Sequence, residues 1–222
     1  MFAAATDAKL PERYQLAYKN SLKMSILENL SEFVFGKGSR NIWEQFASEK
    51  SGVLKSESGD LFVEYNFLNF IFKIKNYTYR ASGSSYEKSY MVGMIEFVNP
   101  TKFELSITKE DFFTRIYKIF KNNEIKIGDN VFDKSFYIKS NKGLKAISIL
   151  KNKLLSEKII SIKPTRIEIS NNGEFFGEVP KKGKYILYFA IEEAFLGLSQ
   201  LNEIHSVLVL FSESLKENCQ IE

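Results

Sequence analysis

Few side chains in this 222-residue chain could carry acid–base, nucleophilic or metal chemistry, and they are scattered. There is one histidine, His205, and one cysteine, Cys219. A catalytic serine or cysteine needs a base aimed at it, and histidine is the commonest base. His205 falls beside the apolar stripe of a helical pattern, which reads as a partly buried packing residue. Asp129 and Asp133 form a carboxylate pair, but two carboxylates alone lack the further oxygen ligands that magnesium requires. Their first reading is structural. One accepts backbone N–H bonds in the turn after Gly128, and the other caps the step into the next strand. Together with Tyr117 and Tyr137 they are also the candidates for an alternative function, an enzyme or small-ligand domain working through carboxylates and tyrosines.

Phosphate chemistry fares no better. Gly36-Lys37-Gly38-Ser39-Arg40 lacks the G-x-x-x-x-G-K-[ST] spacing of a phosphate-cradling loop and follows a helical pattern where a strand is needed. It reads as a helix stop and turn. One cysteine excludes an internal disulfide and a cysteine-based zinc site, so neither metal nor cofactor is expected.

The surface offers one further candidate. In Asp111–Lys121, aromatic residues oppose Arg115, Lys118 and Lys121, as in a helix lying on an anionic membrane. An amphipathic helix packed on a sheet gives the same pattern. The net charge of +4 is spread over interspersed signs, and the densest basic run is the short Lys181-Lys182-Gly183-Lys184. A nucleic-acid partner, which would favour a concentrated basic face, is therefore not expected. The N-terminus lacks a secretory pattern, and no stretch has the apolar length of a membrane helix. The expectation is a soluble cytoplasmic protein.

The elements that would position these residues follow from periodicity. Residues 1–9 predict a disordered N-terminus and 10–222 a single domain, divisible into lobes 40–121 and 122–222. Tyr14 to Val34 carries helical spacing that stops at Gly36-Lys37-Gly38, and a shorter helix follows around Trp43, Phe46 and Ala47. The period then changes to two. Leu61–Phe67 and Phe70–Ile74 flank a hairpin turn, and residues 53–107 read as an antiparallel meander. After the Asp111–Lys121 helix come a strand at Ser135–Lys139 and a helix capped by Asn141 with Leu144, Ile147, Leu150 and Leu154 inward. Strands follow at Ile160–Ile162, Arg166–Ser170, Phe175–Val179 and Tyr185–Ile191, with a turn at Asn171-Asn172-Gly173. A last helix runs over Leu198–Glu217. Runs of strands and helices without strict alternation predict an α+β fold. It has two antiparallel sheet blocks with N-terminal, central and C-terminal helices, and the two blocks suggest a diverged duplication.

The stretch Gly128-Asp129-x-x-Phe132-Asp133-x-x-Phe136-x-Ile138 joins the two halves. Gly128 permits a tight bend, Phe132 and Phe136 anchor it in the core, and Asp133 ties the backbone between them. With Trp43, Phe46 and Ala47 upstream, Phe112 and Phe113, and the helix from Leu198 downstream, the chain resembles a family of mostly bacterial domains. That family carries a W-x-x-[FL]-A helix and a G-D-x-x-F-D-x-x-F-x-[IV] motif, and no catalytic or ligand residue is assigned to the pattern. The resemblance covers most of residues 40–220. The functional expectation is a non-catalytic module that binds a protein or a ligand, with peripheral attachment to an anionic membrane surface as a further alternative.

Overall fold

The computed structural model describes residues 37–57, 60–80, 87–109, 124–172, 176, 178–192 and 197–221. The chain divides into two units, Met1–Asn41 and Ile42–Glu222. Of the first, the described part is the opening of helix α1 (Lys37–Glu49). In the second, strands β1 (Val53–Glu57), β2 (Asp60–Phe67), β3 (Phe70–Arg80) and β4 (Glu87–Val98) come first. Next are β5 (Leu105–Lys109), the short helix α2 (Asn130–Ser135), β6 (Phe136–Ser140) and helices α3 (Gly143–Leu150) and α4 (Lys153–Ile162). Then β7 (Arg166–Ser170), β8 (Lys184–Ile191) and α5 (Leu198–Cys219) complete the fold. Residues 1–36 and 110–123 lie outside the described residues. So do the expected helix from Tyr14 to Val34 and the candidates Phe112, Phe113, Arg115, Tyr117, Lys118 and Lys121.

The eight strands of the described residues form one antiparallel sheet in the order β1-β2-β3-β4-β8-β7-β5-β6. The fold is α+β, as the strand and helix runs predict. The two strand blocks are the two halves of this sheet, joined where β4 pairs with β8. One strand changes halves. β5, expected at the end of the first meander, leaves β4 and pairs with β6 and β7.

Register sorts the side chains onto two unlike faces, because successive residues of a strand point to opposite sides. One transverse row reads Leu54, Val63, Ile74, Gly93, Phe189, Ile167, Ile107 and Ile138. Every member is apolar or glycine, and this face is the core. The neighbouring row on the other face reads Val53, Glu64, Lys73, Met94, Tyr188, Glu168, Ser106 and Lys139. Six of these eight carry a charge or a hydroxyl.

Helix α5 covers the core face through Leu201, Ile204, Leu208, Phe211 and Leu215, all buried, on the stripe its spacing predicts. Gly93 makes the close crossing possible: a Cβ there would stand 2.6 Å from Ile204 Cγ2 and 2.8 Å from Leu208 Cδ1. Trp43 and Phe46 of α1 enter the same core, Phe46 meeting Tyr65 edge-on at 5.9 Å. The hairpin between β2 and β3 turns at Leu68 and Asn69, both at positive φ, the geometry of a tight two-residue turn.

Five local expectations need correction. Lys37 and Gly38, expected as a helix stop, lie in the first turn of α1. Ile160–Ile162, expected as a strand, is the last turn of α4, which ends on a left-handed Lys163 before Pro164. Asn141 does not cap a helix. It bridges strands instead, accepting from Glu104 N at 2.9 Å and donating to Lys102 O at 2.8 Å. The single helix expected through Leu154 is two helices, with Asn152 capping the second by accepting from Leu155 N. The buried stripe is Ala146, Ile149 and Leu150 in α3 and Leu155 in α4, which leaves Leu144 and Leu154 86% and 66% exposed. Of the expected strand at 175–179, Phe176 sits in a turn and Glu178 makes an isolated bridge. No described helix is long and apolar enough to cross a membrane.

Candidate functional site

The Gly128–Ile138 motif is a structural joint. Asp129 Oδ1 accepts from Val131 N at 2.8 Å and Phe132 N at 3.0 Å, capping α2. Asp133 reaches backwards, its two oxygens accepting from Ile127 N and Gly128 N, each at 3.0 Å. Gly128 supplies a φ of +88°, a conformation that suits glycine. Phe132 and Phe136 stack at 4.9 Å and are fully enclosed. Both carboxylates are thus occupied by backbone N–H groups. Tyr137 projects from β6 to the sheet's other face, where the Lys139 ammonium lies 5.0 Å from its ring. Asp129, Asp133 and Tyr137 do not converge on a cleft, and Tyr117 lies outside the described residues. Among the described residues no group of three or more His, Cys, Asp or Glu side chains is placed to hold a metal ion.

His205 stands among aromatic rings. Its Nδ1 lies 2.8 Å from the Tyr65 hydroxyl, and the rings of Phe67 and Phe72 are centred 5.2 and 6.0 Å away. Burial, helped by the nearby Lys50 ammonium, lowers its pKa from 6.5 to about 4. The imidazole is therefore neutral at pH 7 and can accept the phenol's proton at Nδ1. Burial also pushes the Tyr65 phenol well above its ordinary value, so it donates without ionising. The pair locks α5 to β2.

A pH dependence follows. The unfolded chain takes up the imidazole proton near 6.5 and the folded one only near 4, so protons favour the unfolded state between these values. Stability is complete above the upper value and is lost as pH falls toward the lower. Solvent screening around a half-buried ring brings the loss to about 1–2 kcal/mol. Denaturant titrations at pH 7 and pH 4 should show wild type losing more than His205→Gln by that amount. Equal losses would refute it.

The more informative ground is the sheet face away from α5. At its centre Val92, Met94, Ile186, Tyr188 and Ala190 form a small second apolar cluster. Strand β8 is buried on both sides for this reason. Phe176, in the connection between β7 and β8, packs on Tyr77, Tyr90 and Tyr188 with ring centroids 5.3–5.4 Å apart. Its carbonyl accepts from the Lys75 ammonium, and Glu178, two residues on, pairs with Lys73 and Lys75. Lys75 is itself buried. Further along, Glu96 accepts from Lys181 N at 3.0 Å. Burial alone would raise the Glu96 pKa, but this N–H and the Lys184 and Lys181 ammoniums hold it below the usual range.

Beside this cluster opens a cleft of about 410 Å³, lined by Tyr77, Tyr90, Thr165, Arg166, Phe176 and Ala190. Register explains it. In the row Lys75–Val92–Ala190–Arg166, the alanine is a single methyl between larger neighbours, and the tyrosines of the β3–β4 pair stand one row further on. Thr165 is fixed by three backbone bonds: its N donates to Ala190 O, its carbonyl accepts from Lys109 N, and its Oγ1 accepts from Glu192 N. The Thr165 hydroxyl proton remains to donate. Arg166 Nη2 lies 2.5 Å from Glu168 Oε2, which also accepts from the Tyr188 hydroxyl at 2.9 Å. Burial pushes the Tyr188 phenol up. The site is an aromatic wall that includes two phenols, a small apolar floor, one threonine hydroxyl and one guanidinium.

None of these six residues stands out in the sequence. They come from the β3 and β4 strands, two loops and the β7 and β8 strands, and the pairing of Val92 with Ala190, distant in the chain, brings them together. The uninterrupted apolar run Tyr185–Ile191 was the one available signal, since a strand without alternation is covered on both faces. No family model, no curated protein and no solved structure matches this chain.

Proposed function

We propose that this protein is a non-catalytic binding module whose ligand site is the cleft between Tyr77, Tyr90, Phe176 and Ala190. The observation that carries the reading is the cleft's make-up. Ligand sites are concave and mainly apolar, with a few placed polar groups that orient the ligand, and this cleft joins three aromatic rings, two of them phenols, with one threonine hydroxyl and one guanidinium. It holds no acid–base pair and no nucleophile with a base beside it, so its chemistry is recognition. The competing carboxylate/tyrosine enzyme draws little support, because Asp129 and Asp133 spend their oxygens on backbone N–H groups. Membership of the bacterial domain family with the G-D-x-x-F-D-x-x-F motif is part of this proposal. A cytoplasmic location is too, since a single buried cysteine suits a reducing compartment.

Thermal unfolding in the presence of small aromatic compounds tests the reading. A ligand held at one hundred times its Kd should stabilise the wild type by about 2.7 kcal/mol. Ala190→Leu fills the floor of the cleft and should remove that gain while the apoprotein still melts cooperatively. Stabilisation that survives Ala190→Leu would place the ligand elsewhere and overturn the proposal.

A further inference from the structure

We infer that the ligand of this cleft is an organic anion, with a flat apolar body against Tyr77, Tyr90 and Phe176 and an acidic group turned to Arg166 and the Thr165 hydroxyl. The inference rests on the binding reading above and adds the ligand's charge and orientation. Among the lining residues none is acidic and one is cationic. The far side of the wall carries two ammoniums against one carboxylate, Lys73 and Lys75 sharing Glu178, and the Lys75 ammonium lies 5.2 Å from the Tyr77 ring. A cationic ligand on the same rings would be repelled from both ends.

Arg166 is available to such an anion in spite of its ion pair. A guanidinium carries five N–H donors in a fixed fork, and one carboxylate does not exhaust them. Its side chain is 49% exposed, whereas that of Glu168 is 15% exposed, so the arginine is the partner that solvent and ligand reach. If the guanidinium turns toward the cleft, Glu168 keeps the Tyr188 hydroxyl and is not left bare. Glu192, whose backbone N–H donates to Thr165 Oγ1, has its carboxylate paired with Lys88. Beside the two tyrosine phenols, the polar groups of the lining are the Thr165 hydroxyl and the Arg166 guanidinium, each with a proton to donate, which suits an acceptor-only head such as a carboxylate or sulfonate.

Two fluorescent probes of nearly one shape test this on the full chain: anilinonaphthalene sulfonate, an anion, and phenylnaphthylamine, its neutral analogue. The sulfonate should bind more tightly, and its affinity should fall as salt rises. Arg166→Gln should weaken it about tenfold, the modest end for a charge-assisted bond at a half-exposed site, and leave the neutral probe unchanged. Glu168→Gln releases the guanidinium from its competitor while still accepting from Tyr188, and should tighten sulfonate binding several-fold. Circular dichroism melts on both variants establish that each is folded. Equal binding of the two probes, indifferent to both substitutions, would overturn the anion inference and leave the binding site standing. Binding of neither probe would count against the site itself.

Discussion

Phe136→Ala should lower the stability of the protein by about 3–5 kcal/mol, the range for truncating a fully enclosed aromatic ring. Phe136 is 1% exposed and stacks on Phe132, itself fully buried. Both rings belong to one continuous core with Val63, Tyr65 and Phe72 from the other half of the sheet. The cavity left behind would have little means of closing. Above it Asp133 pins Ile127 and Gly128, and beside it Ile138 O accepts from Ile125 N at 3.0 Å. Because the core is shared, the loss should appear as a single transition shifted to lower denaturant with an unchanged slope. A loss under about 1 kcal/mol, or a second transition, would show that the motif does not hold the halves together.

Gly93→Val should cost about 3 kcal/mol, the upper part of the range for overpacking a well-filled interior. The new Cβ alone would sit 2.6 Å from Ile204 Cγ2 and 2.8 Å from Leu208 Cδ1. Both are buried atoms in the middle of α5, so relief requires the helix to lift from β4. Gly93→Ala should cost less, since it adds one methyl and removes glycine's extra backbone entropy from the unfolded chain. Denaturant titration of both variants checks the order. A valine variant as stable as the parent would mean that α5 does not cross the sheet where Gly93 lies.

The order of effects explains what the sequence could and could not disclose. Where one face is buried and the period is regular, as in β2, β3 and α5, alternation and the helical stripe point to the right element and the right face. The Gly-Asp-x-x-Phe-Asp-x-x-Phe run was legible because its bonds are local: the carboxylate hydrogen bonds of Asp129 and Asp133 span six residues or fewer. Ile160–Ile162 misled because β-branched residues favour strands in isolation, whereas the Asn152 cap and the left-handed Lys163 define a helix around them. The transfer of β5 to the second half had no local signal, since which strands pair is decided by the whole sheet.

The cleft was hidden for the same reason. Tyr77 and Tyr90 fall within the expected meander, and Arg166 and Ala190 within the expected strands Arg166–Ser170 and Tyr185–Ile191, with nothing to single them out. Only the β4–β8 pairing turns the alanine into a floor and the tyrosines into a wall. Asp129 and Asp133, the residues whose types suggested chemistry, are fastened to the backbone, and the candidate site uses residues chosen for shape.

The most direct test of the account is to titrate isotope-labelled protein with anilinonaphthalene sulfonate and follow side-chain and amide resonances. The account predicts saturable shifts gathered at Tyr77, Tyr90, Thr165, Arg166, Phe176 and Ala190, with α5 and the Asp129–Phe136 joint unmoved. Shifts centred on another surface, or none at saturating probe, would contradict it.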